Sequence, residues 1–193
     1  MVKSGFDSNC HFKNGSPLKI IQTFGFCRKI CTIIDKIQDF LQLSHNMETP
    51  YFSSDTEVEA LVDAFINKTL PKTDWTHQAH LAACLWHLLR YNPVESMLLL
   101  RIRIITYNES VGGVNDLNNG YHETITAFWV AAINAYLNRK NRSDAISQLC
   151  NELFVSPYAD RTLPLQFYSR ERLFSVEARA TFVQPNLAEL SAL

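Results

Sequence analysis

Thr76-His77-Gln78-Ala79-His80-Leu81-Ala82-Ala83-Cys84-Leu85-Trp86-His87-Leu88-Leu89-Arg90-Tyr91-Asn92-Pro93 is the stretch on which the reading of the fold turns. Thr76 is a natural N-cap, and Asn92-Pro93 ends one helix and starts another with proline at its first position. Between them Leu81, Leu85, Leu88 and Leu89 recur at helical spacing. The same punctuation continues on both sides. Ser54 followed by Glu57 predicts a capping box for a helix over 55–68, with Leu61, Val62, Phe65 and Ile66 as its apolar stripe. The helix opened by Pro93 reaches about Tyr107. Further helices are expected over 121–137, 143–154 and, capped and short, 169–180. The 121–137 segment holds Phe128, Trp129, Val130, Ile133 and Tyr136, so it belongs at the centre. Residues 108–120 contain Gly112, Gly113, Asn115, Asp116, Asn118, Asn119 and Gly120, which is turn chemistry. No stretch alternates as a strand does, and there is no internal repeat. The expected fold is all-α, a single-domain helical bundle of about five to seven helices.

The chain has 193 residues, 47% of them hydrophobic, enough for one sizeable core. Its net charge of -1 provides neither a basic field for nucleic acid nor an acidic tail. No apolar run is long enough to span a bilayer, so a soluble protein with no membrane partner is expected. Cys10, Cys27, Cys31, Cys84 and Cys150 are odd in number and include no CxxC pair, which points to a reducing, cytoplasmic setting.

Residues 1–46 differ from the rest, with six Lys/Arg against three Asp/Glu. Ile20, Ile21, Phe24, Cys27, Ile30, Cys31, Ile34, Ile37 and Leu41 recur at helical spacing, as in an amphipathic helix docked on the domain. The alternative is that the natural start is Met47 and the periodicity upstream is fortuitous. The division is therefore an N-terminal extension over 1–46 and a helical domain over 47–193.

Histidine carries the chemistry. His77 and His80 fall in the first turn expected after Thr76, and His122 opens Gly120-Tyr121-His122-Glu123-Thr124-Ile125-Thr126. A helix N-terminus disfavours imidazolium, so such histidines stay neutral and can accept a proton, accept a hydrogen bond or bind a metal. If the two helices are neighbours, His77, His80 and His122 converge, with Asp74 or Glu123 as carboxylate. That set would suit one divalent ion, zinc or iron, with an open position. The plainer readings are that His77 and His80 cap or pack at a helix start, that Glu123 satisfies its own helix end, that His87 is a satisfied core or surface histidine, and that Cys84 is a small apolar filler. HE at 122–123 lacks a histidine four residues on, paired ExxH motifs are absent, and there is no P-loop, GxGxxG or GxSxG.

A second constellation lies between Ser156 and Ser175, dense in Arg and Tyr around Pro157 and Pro164. Arginine presents a planar fork to a carboxylate or phosphate, and tyrosine a rigid hydroxyl. Tyr158, Arg161 and Arg170, with Tyr121, are the candidate residues for an anionic small molecule, although Arg170 and Arg172 could equally pair with Glu171 and Glu177.

WTHQAHLAACLWHLL, GYHETIT and YSRERLFSVEAR together resemble an uncharacterised family of small bacterial proteins in which WTHxxHL and GYHETIT motifs occur together. The resemblance spans about 55–190 and implies a single domain of this length, without an activity. The sequence thus leads to a small-molecule enzyme acting on an anionic substrate through His77, His80, His122 and Glu123, closed by the 108–120 loop. The alternative is a non-catalytic ligand-binding or interaction domain.

Overall fold

The computed structural model describes residues 50–193, and the expectations for residues 1–46 lie outside the described residues. Within 50–193 there are eight α-helices and no strand. We number them α1 (Asp55–Ile66), α2 (His77–Arg90), α3 (Pro93–Ser110), α4 (Glu123–Leu137), α5 (Ile146–Phe154), α6 (Pro164–Phe167), α7 (Arg170–Leu173) and α8 (Val176–Ala180). The first five are the long ones and make the bundle.

Local chemistry sets the boundaries. Thr76 Oγ1 accepts the Ala79 N–H at 3.2 Å and opens α2 as its sequence requires. Asn92 accepts the Val94 and Glu95 N–H groups, and Glu95 reaches back to the Asn92 N–H, so the full capping box belongs to α3. At α1 the expected box does not form. Ser54 makes no side-chain cap, and Glu57 instead takes the N–H and hydroxyl of Ser53. Other boundaries differ too: α1 stops at Ile66, α3 runs past Tyr107 to Ser110 so that residues 108–110 are helix rather than loop, and α5 begins at Ile146. His122 lies outside α4 as its N-cap rather than in its first turn. The expected 169–180 helix is two short helices broken at Phe174-Ser175, because Ser169 and Ser175 each cap a separate start.

Helix α4 is central, as its composition predicts, and it serves two cores. One face joins the main core of α1, α2, α3 and α5 through Val130, Ile133, Tyr136 and Leu137. The other presents Phe128 and Ala132 to a smaller cluster of Leu163, Phe167, Tyr168, Leu173, Ala178 and Val183. The C-terminal segment is stitched down as well as packed. Thr124 Oγ1 donates to Thr181 O and accepts from the Val183 N–H, at 2.9 and 3.1 Å. In the main core Leu85 is fully buried, and Leu85→Ala would cost about 2–5 kcal/mol for the lost transfer energy and the cavity left behind. Among the described residues no helix is long and apolar enough to cross a membrane.

Candidate functional site

Helices α2, α3 and α4 pack against one another in pairs and leave a cavity of about 510 Å³ between them. Leu81 and Cys84 of α2, Leu100 and Ile104 of α3, and Ile125 and Trp129 of α4 make its apolar wall. Trp75, Thr76, His77, His80, Thr126 and Arg161 supply the remainder, so the polar groups gather where α2 begins. We call this the inner chamber. Its form, an apolar concavity with a few directed polar groups, is that of small-molecule sites in general.

Both histidines are held in one tautomer. A carbonyl can only accept, so the His80 Nδ1–H donates to Thr76 O at 2.6 Å and Nε2 keeps its lone pair. His77 is the reverse, with Nε2–H on Ala159 O at 2.9 Å and Nδ1 carrying the lone pair. The His77 bond also brings the 3₁₀ turn Pro157–Ala159, and Arg161 just beyond it, to the start of α2. Asp160 stiffens that turn by accepting the Thr162 N–H and hydroxyl, both at 2.8 Å. Burial lowers the His77 pKa, and Arg161 adds to the effect. The His80 pKa is lowered by the protein atoms crowding its ring, with His77 and Arg161 contributing, although the residue is exposed and water reaching it offsets part of that push. Both shifts favour the neutral imidazole, and their causes are burial and the nearby Arg161 rather than the helix start.

His122 has another role. Its Nδ1 accepts the Ile125 N–H at 3.3 Å and its Nε2–H donates to Leu173 O at 3.0 Å, so both ring nitrogens are occupied in capping α4 and tethering α7. It lines an outer chamber of about 700 Å³, together with His80, Trp75, Tyr121, Lys72, Asp116 and Arg179. Asn108 near the end of α3, and Gly113 and Asn119 of the loop after it, form part of that wall. The loop is tied in place, since Asn115 bonds Asn108, Ile105 O and the Tyr121 N–H. Gly120 has φ +74° and a Cβ there would meet Val114 O at 2.3 Å, so the turn admits only glycine.

Glu123 lies apart from the inner chamber. Its carboxylate pairs with Arg101, the Nε–H bond measuring 2.9 Å, and accepts the Tyr121 hydroxyl at 2.7 Å. Burial opposes its charge, but the Arg101 and Tyr121 bonds prevail and hold its carboxyl below the usual range. The three residues line a separate cavity of about 580 Å³. Asp74 is exposed and accepts the Thr73 hydroxyl. Tyr158 takes a bond from Arg139 and donates to Leu193 O. Arg170 is exposed, with its guanidinium 5.3 Å from the centre of the Phe174 ring. Of the candidate ligand-binding residues, Arg161 alone reaches the inner chamber.

The three-histidine metal set does not fit this arrangement. His122 has no ring nitrogen to spare, and among the described residues no three His, Cys, Asp or Glu side chains stand together as a metal group. A divalent ion would find two imidazoles at the inner chamber, not three.

No family model matches the chain. No curated protein and no solved structure is similar to it.

The sequence missed Arg101, Lys72 and Arg179. Arg101 and Arg103 interrupt the apolar run from Met97 to Ile105, and cations in such a run were a signal in plain view. Trp75, beside His77 and His80 in the chain, was equally available as a cavity wall.

Proposed function

We propose that this domain is a small-molecule enzyme acting on an anionic substrate in the inner chamber, with His80 as proton acceptor, His77 as a second neutral imidazole and Arg161 as the group that takes the anion. The observation that carries this reading is the placing of two carbonyl-fixed neutral imidazoles and an arginine at the mouth of a cavity with apolar walls. Charge supports the anion. Lys72, Arg161 and Arg179 line the two chambers against the single carboxylate of Asp116, in a chain whose overall charge is -1. The free thiols of Cys84 and Cys150 fit a reducing, cytoplasmic setting. Cys84 lines the cavity, but burial pushes its thiol up, which makes it wall rather than nucleophile.

The second reading is a non-catalytic binding domain, favoured by the lowered pKa of His80, because a less basic imidazole is a weaker proton acceptor and still a good fixed hydrogen-bond acceptor. One experiment separates the two. Mixtures of small carboxylates and phosphate monoesters are incubated with the protein and followed by proton NMR. Consumption of an acid, abolished in His80→Ala, is expected for the enzyme. Saturable binding without consumption selects the binding domain. For either reading Arg161→Lys keeps the charge but loses the fork, so affinity should fall by about 1–3 kcal/mol with little change in stability. Equal affinity of wild type and Arg161→Ala for every acid that binds would remove Arg161 from the site.

A further inference from the structure

Trp75, His80, Ile104, Ile125 and Thr126 wall both the inner and the outer chamber, so the two adjoin and His80 stands where they meet. Each chamber has its own cation. Arg161 lines the inner one, and Lys72 and Arg179 line the outer one. The outer carboxylate, Asp116, is turned into its own loop, where Oδ1 accepts the Asn118 and Asn119 N–H groups at 2.8 and 2.7 Å. Arg179 makes no direct ion pair among the described residues, although Asp116 feels its charge, and it is positioned by backbone. Its Nη1 donates to Gly120 O and Tyr121 O at 3.2 and 3.1 Å.

Resting on the anionic-substrate reading above, we propose that the ligand carries two anionic groups joined by a short apolar span, one held at Arg161 and the other at Lys72 and Arg179. The span crosses His80 between Ile104 and Ile125, which places the middle of the molecule beside the His80 imidazole. Charge at both ends with apolar walls between them disfavours a one-headed acid, which leaves one set of cations unused. Two charged contacts on one molecule reinforce each other, because forming the first raises the effective concentration for the second.

The probe is a series of linear α,ω-dicarboxylates from succinate to sebacate, with monocarboxylates of matched length, titrated calorimetrically into the full chain at low ionic strength. One dicarboxylate length should bind at least about tenfold more tightly than its monocarboxylate, the gain of one further charged hydrogen bond. Lys72→Ala and Arg179→Gln should each remove most of that gain while leaving monocarboxylate affinity, which depends on Arg161, unchanged. Arg179 also holds the Gly120 turn, so Lys72→Ala, at an exposed side chain, is the deciding variant. Equal affinity of mono- and dicarboxylates, both dependent on Arg161, would overturn the two-headed ligand and leave the single-anion reading standing. Binding of no member of either series would overturn the two-headed ligand, and the single-anion reading falls with it when the phosphate monoesters tested above also fail to bind.

Discussion

The His80 imidazole lies on the Trp75 indole, ring centroids 3.9 Å apart, while Phe65 stacks on Trp75 at 4.2 Å and within 11° of parallel. Two rings so close to one centroid occupy opposite faces, so Trp75 is a spacer that carries the position of a core residue out to the catalytic candidate. Truncating it should act on stability and on the site together. Trp75→Ala is expected to lose about 3 kcal/mol in urea unfolding and to weaken every inner-chamber ligand. Trp75→Phe should cost less, since it keeps a ring and deletes an indole N–H that is buried without a partner. An alanine variant as stable as wild type would show that the stack supports nothing.

His122→Ala should cost about 1–2 kcal/mol, for a lost N-cap and a lost tether to Leu173 O. His122→Asn restores the cap and should recover about half. Neither change is expected to alter binding in the inner chamber. Loss of inner-chamber affinity in the asparagine variant, with stability retained, would return His122 to the site.

Glu123 is 8% exposed and depends on Arg101 for its charge. Arg101→Ala leaves that carboxylate with Tyr121 alone and should destabilise by about 2 kcal/mol, less than a fully buried pair because Arg101 is partly open to water. The double change Arg101→Met/Glu123→Leu should be milder than Arg101→Ala, because no orphaned charge remains. Chemical unfolding of the three proteins at pH 7 decides this, and a double variant less stable than the single one would count against it. The Glu123 pKa is lowered in the folded state, so its contribution is present above about pH 4.3 and is lost as pH falls through the lower folded value.

The stability profile in mild acid should be set by histidine. His87 is fully buried, donates from Nδ1 to Ala83 O at 2.5 Å and accepts at Nε2 from Arg103, and burial pushes its pKa down to about 4. An unfolded histidine takes its proton near pH 6.5, so between about 6.5 and 4 the unfolded chain binds the extra proton. Stability is therefore full above that window and falls within it by up to about 1.4 kcal/mol per pH unit for each such group. His77, His80 and His122 are shifted in the same direction. Unfolding at pH 7, 6 and 5 should show the decline, and His87→Gln should make it shallower by as much as one proton's worth. A flat profile in wild type would exclude the buried neutral state.

What the sequence made legible was whatever a few neighbouring residues decide. Thr76, Asn92 and Pro93 fixed two helices because caps act over three or four positions, and the aromatic stripe from Phe128 to Tyr136 placed α4 at the centre. His77 and His80 share a chamber because they are three apart on one helix. The pairing of Arg101 with Glu123 spans 22 positions, and that of His122 with Leu173 spans 51, so neither follows from local spacing. The break at Phe174-Ser175 was hidden for the opposite reason, since Ser169 and Ser175 are both good caps and either could have owned one longer helix.

The bonds from Thr124, His122 and Arg179 across to Thr181, Val183, Leu173 and Gly120 also set an order of assembly. A chain is made from its N-terminus, and helices α2, α3 and α4 are all synthesised before residue 173 leaves the ribosome. The inner chamber can close while the polypeptide is still growing. The outer one must wait for the last segment to arrive, so a nascent chain that has emerged only as far as Leu163 would hold His77, His80 and Arg161 together and lack Arg179 beside them.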